Sequence, residues 1–120
     1  MASLNTFGAI MTHAVNLEAE LAAYYRQAGN TSRVQAADKL RQKMERIRRE
    51  AVLEITLEPI EGLDAADYAF NFDDSSAAGQ QVVEATAARF YADVAPKINV
   101  RQAQRALERA GSEHAALAES

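Results

Sequence analysis

The chain is 120 residues long, enough for one compact domain, and its 26 Ala against 5 Gly and 2 Pro is a helical composition. With no Cys and only two His, it can build neither a disulfide framework, nor a thiolate zinc site, nor a three-His metal site within one chain. The net charge of −4 is unevenly spread: residues 26–49 carry eight Lys/Arg and two acids, whereas residues 50–74 carry eight acids and no base.

In chain order, Leu4, Phe7, Met11, Ala14, Glu18, Leu21, Tyr25 and Ala28 recur at spacings of three and four. This predicts a helix over 4–28, closed by Gly29-Asn30. Thr31 or Ser32 can cap a second helix over 32–56, with Val34, Ala37, Leu40, Met44, Ile47, Ala51 and Ile55 facing inward. The short link makes these two an antiparallel hairpin. Residues 57–76 break the pattern with Pro59, Gly62 and Asp73-Asp74-Ser75-Ser76, and their length suits a crossover along a bundle. A third helix over 77–95 follows, with Ala77, Glu84, Ala87, Tyr91 and Val94 on one face. A turn at Pro96-Lys97-Ile98-Asn99 leads to a fourth over 100–118, marked by Val100, Ala103, Leu107, Ala110, His114 and Leu117. The expectation is an all-α, single-domain four-helix bundle: two antiparallel hairpins joined by a long crossover.

A shift of 66 residues lays one hairpin on the other. Glu18 meets Glu84, and Tyr24-Tyr25 meets Phe90-Tyr91. In both copies a carboxylate interrupts an apolar stripe, and a buried ionised carboxylate must be paired or bind a cation. On the partner helices the same shift sets Glu45-x-x-Arg48 opposite Gly111-x-x-His114.

In these elements the chain resembles ferritin-like proteins such as bacterioferritin and rubrerythrin. The resemblance implies two helices with a lone Glu and two with Glu-x-x-His, together forming a di-iron carboxylate site. It maps metal ligands onto Glu18, Glu45, Glu84 and His114, with iron or manganese as the ion. It also implies oxidase, peroxidase or iron-handling chemistry. Two positions depart from the pattern: Arg48 stands where His is expected, and Gly111 where Glu is expected. A guanidinium cannot donate a lone pair. Arg48 would therefore offer its donors to Glu18, Glu45 or Glu84, and a core Glu–Arg cluster is the metal-free alternative, that of an assembly or partner-binding module. Tyr25 and Tyr91 are expected as core aromatics whose hydroxyls bond a buried carboxylate of another helix. His13 falls off the stripe and is expected to be exposed.

Lys39, Arg41, Lys43, Arg46 and Arg49 read as a solvated face, and the net acidity speaks against nucleic acid. The adjacent basic and acidic stretches suit antiparallel subunit pairing, so a homodimer is expected. No apolar run approaches the roughly 18–20 residues of a membrane span, and the first residues lack a signal-peptide pattern, so no membrane partner and a cytoplasmic location are expected. No glycine-rich phosphate loop or nucleophile motif is present.

Overall fold

A computed structural model describes residues 4–120, and the described chain is helical, with no strand beyond one isolated bridge between Thr6 and Pro59. Its order is α1 (Phe7–Ala28), α2 (Thr31–Glu50), α3 (Leu53–Thr56), α4 (Ala77–Val94) and α5 (Arg101–Ala118). Short 3-10 turns at Ala65–Tyr68 and Ala95–Lys97 complete it. The chain divides into two compact units, one ending at Ala65 and the other beginning at Ala66.

In the first unit, Thr6 caps α1 by accepting from the Ala9 N–H at 3.0 Å. The inward stripe is buried as its periodicity predicts, from Phe7 through Met11, Ala14, Glu18 and Leu21 to Tyr25. Gly29 ends the helix at φ +76, a left-handed conformation that costs a side-chain-bearing residue energy. Its N–H donates to the Arg26 carbonyl and that of Asn30 to the Tyr25 carbonyl, the two bonds of a Schellman turn. The cap of α2 is Asn30 rather than Thr31 or Ser32, because its side-chain oxygen accepts from the Arg33 N–H at 3.3 Å. Side-chain contacts from Arg33 to Tyr25 and from Arg48 to Thr12 set α1 and α2 antiparallel.

The second helix stops at Glu50, six residues before the end its apolar stripe suggests. Ala51 and Val52 are extended, and α3 is a separate single turn. Packing of the following segment on the start of α1 accounts for the break. The Phe7 N–H, which has no partner inside its own helix, donates to the Glu58 carbonyl at 3.1 Å, and the Ile60 N–H donates to Asn5 at 2.9 Å. Gly8 permits this approach, since a Cβ there would stand 3.0 Å from the Thr56 carbonyl oxygen.

In the second unit, Tyr68 is buried, stacks edge-on against Phe90 and donates its hydroxyl to Asp93 at 2.7 Å. Arg89 lies over the Tyr68 ring and donates to the Asp67 carbonyl at 2.8 Å, so the loop is held along α4. Burial, then the Asp93 carboxylate, raise the Tyr68 hydroxyl above its ordinary range. Ser76 caps α4 as its position suggests, accepting from the Gly79 N–H at 3.2 Å. Pro96 occupies the 3-10 turn after Val94, and Gln104 bonds the Ala95 carbonyl across the bend. The core face of α5 is Ala103, Ala106, Leu107, Ala110 and His114.

Gly79 has a specific steric reason. A Cβ there would lie 2.2 Å from the Asp74 carbonyl oxygen and 2.6 Å from its carboxyl carbon. Gly79→Ala gains about 1 kcal/mol in helix propensity yet forces the Asp74 backbone to move. The expected outcome is a net loss of about 1–3 kcal/mol, seen as a lower thermal midpoint; an unchanged or higher midpoint would contradict the clash.

Candidate metal centre

Both carboxylates that interrupt the apolar stripes are buried: Glu18 is 0% and Glu84 1% exposed. They belong to different units. In the second unit, α4 and α5 run antiparallel, and the His114 Nδ1 on α5 is hydrogen-bonded to the Glu84 Oε2 on α4. His114 is only 2% exposed. On its flank the Tyr91 ring stacks with centroids 5.7 Å apart and 6° between planes. Tyr91 meets Phe90 edge-on at 5.1 Å. The imidazole is thus held between a carboxylate and an aromatic face, with its tautomer constrained at Nδ1.

Gly111, one turn before His114, lies against Tyr91. A Cβ at Gly111 would come 3.0 Å from the Tyr91 Cβ and 3.8 Å from the Ala88 carbonyl oxygen. A side chain at this position would have to push the Tyr91 Cβ aside by a few tenths of an ångström. Gly111 is also the one glycine inside α5, which marks it in the sequence as a packing position.

In the first unit, Tyr25 is 1% exposed, and its hydroxyl accepts from Arg33 Nη1 at 3.4 Å. The guanidinium carbon of Arg33 sits 5.5 Å from the ring centroid. Tyr25 thus receives a guanidinium at its hydroxyl, and Tyr91 presents its face to an imidazole. Glu45 is turned along α2 toward Arg41, with Oε1 3.0 Å from Nη1 and a side chain 35% exposed. Arg41 also reaches Asp38 at 3.7 Å. Arg48 is half-buried, and its Nη1 reaches Thr12 Oγ1 at 3.5 Å.

These contacts show where the 66-residue shift loses level. His114 lies opposite Glu84, yet Arg48, its counterpart in the shift, lies opposite Thr12. Thr12 is six residues from Glu18 along α1, about 9 Å of helix. The second hairpin has a longer bend, through Ala95–Lys97 to Val100, than the Gly29-Asn30 link. The second arms therefore lie at different levels against their first arms.

Within neither unit do three or more His, Asp or Glu side chains of the described residues gather to hold a metal ion. Glu84 and His114 are nevertheless a carboxylate and an imidazole in contact, the ligand types that iron, manganese or zinc accept. Compared with protein-family models, with curated proteins and with solved structures, the chain matches none.

His13 is half-buried rather than exposed, since it lies at the edge of the α1 stripe beside Met11 and Ala14. Burial lowers its imidazole below the ordinary 6.5. The unfolded chain then binds this proton more readily than the folded one, so His13 favours folding above about pH 6.5 and that advantage is lost as the pH falls through the lower folded value. Wild type should lose thermal stability between pH 7.5 and 5.5 by more than His13→Gln does. Parallel melting-temperature profiles would show that His13 carries no such linkage.

Proposed function

We propose that this chain is a metal-binding helical protein of ferritin-like character, with iron or manganese held at Glu84 and His114. Glu18 is the carboxylate of corresponding position on α1. The observation that carries the reading is the contact between the Glu84 carboxylate and the His114 imidazole on facing helices, both nearly excluded from water. A carboxylate with an imidazole is a recurrent half of a bundle-core metal site. Tyr91 orients the imidazole by stacking. Binding requires the proton between Nδ1 and Oε2 to leave, so affinity rises with pH. Two protein ligands leave the remaining positions to water or to further carboxylates, and such an ion could act as a Lewis acid or redox centre.

A second reading is favoured by one observation: Glu84 and His114 already hydrogen-bond each other, which satisfies much of a buried polar pair without a cation. In that reading the protein is a metal-free helical module for assembly or partner binding. The partner of Glu84 is then His114 and not Arg48, whose guanidinium reaches Thr12.

Metal loading separates the two. Protein purified without chelator and titrated with Fe(II), Mn(II) or Zn(II) should retain about one equivalent per chain after desalting. It should also melt higher with metal present, by the linkage of binding to folding. Glu84→Gln and His114→Ala should each lower affinity by about 10-fold or more, with helical circular dichroism reporting that the fold persists. Retention of less than about a tenth of an equivalent with all three ions, and no shift in melting, would exclude the metal reading.

A further inference from the structure

Four large apolar side chains are prominently exposed among the described residues, and three of them fall within one short stretch of the first unit: Val52 at 56%, Leu53 at 69% and Leu57 at 63%. Leu53 and Leu57 are four apart across the single turn of α3, where the Leu57 N–H donates to the Leu53 carbonyl, so they share one face. Isolated exposed leucines are ordinary, but a contiguous ridge is a contact surface. Carboxylates border it, with Glu50 and Glu54 exposed and Glu58 half-exposed. The occupant must therefore offer apolar stems and positive charge.

The same unit displays that chemistry on α2. Lys39, Lys43, Arg46 and Arg49 lie away from the buried Ala37, Leu40 and Met44, and Arg46 and Arg49 are exposed. Long Lys and Arg side chains lay their methylenes on apolar surface while their charged ends reach acids. The basic stretch runs directly into the acidic, apolar one. Residues 39–57 are thus positive and then negative in chain order, a pattern complementary to itself when two copies meet antiparallel.

We infer that the α2–α3 region is a self-complementary docking surface whose occupant is a second copy of this chain. The basic side of α2 in each protomer covers the Val52–Leu53–Leu57 ridge of its partner, and Arg46 and Arg49 face the partner's acidic border around α3. The surface is small and its attraction largely electrostatic, so the dimer is weak, with a dissociation constant on the order of 10 µM, and is loosened by salt.

Sedimentation analysis of the full chain across about 1–100 µM tests this, using two charge-reversed variants. Arg46→Glu/Arg49→Glu reverses the charge that faces the partner's acidic border, and Glu50→Arg/Glu54→Arg reverses that border itself. Wild type should dimerise at low salt. Each variant alone should dimerise about 100-fold more weakly or not at all, and an equimolar mixture of the two should recover a heterodimer. Leu53→Ser/Leu57→Ser should weaken the wild-type dimer while leaving the helical circular dichroism unchanged. A wild-type chain monomeric at the highest concentration would overturn the inference. So would charge-reversed variants that self-associate as wild type does, or a mixture that fails to associate.

Discussion

A carboxylate with almost no exposed surface has to be compensated where it stands, and for Glu84 the compensation comes from the imidazole of His114 on the facing helix. That requirement orders the second hairpin. For Nδ1 to reach the carboxylate, α5 must lie close to α4, and the close approach is made possible where Gly111 meets Tyr91. Tyr91 then closes over the imidazole, Phe90 meets Tyr91 edge-on, and Tyr68 meets Phe90. A polar contact, a missing Cβ and a run of aromatic edges belong to one packing solution. Replacing any of them alters the separation at which the acid and the imidazole face each other.

The first hairpin handles its charge differently. Its cations are spent on the outer sides of the helices: Arg41 bridges Asp38 and Glu45 along α2, Arg33 reaches the Tyr25 hydroxyl, and Arg48 reaches Thr12. Surface pairs of the Arg41 kind contribute little to stability, at most about 1 kcal/mol each. Their value here is positional, since they turn Glu45 away from the buried face. The remaining cations of α2 stay outward beside an exposed apolar turn bordered by acids. The two hairpins thereby carry two kinds of chemistry, a buried acid–imidazole pair in one and a charged edge beside an exposed apolar turn in the other.

Much of the architecture was legible from spacing. The α1 stripe, the Gly29 stop, the Ser76 start of α4 and the burial of Glu18, Glu84, Tyr25, Tyr91 and His114 all follow from three-and-four periodicity and cap chemistry. The limits of that periodicity are equally concrete. Ala51 and Ile55 continue the α2 pattern, yet the helix ends at Glu50 because Glu58 and Ile60 bond the chain at the start of α1. Asn30 and Thr31 are both competent caps, and only the backbone path selects Asn30. The 66-residue shift sets Arg48 level with His114, yet Arg48 lies opposite Thr12, because a sequence offset does not count the extra length of the Ala95–Lys97 bend.

By itself, the sequence determined where the four long helices lie to within a few residues, which face of each is apolar, and that two acids interrupt those faces. It also excluded thiolate and multi-histidine chemistry by composition. These properties are local, set by propensity and by a repeat of 3.6 residues. Only the tertiary structure decided that Glu84 meets His114, that Glu45 turns to Arg41, that Arg48 meets Thr12, and that Gly111 packs closely against the Tyr91 side chain. Such partnerships depend on the axial level at which two helices pack. That level is set by the length and shape of the bend between them and by side-chain volume at the crossing, neither of which a single helix's periodicity records.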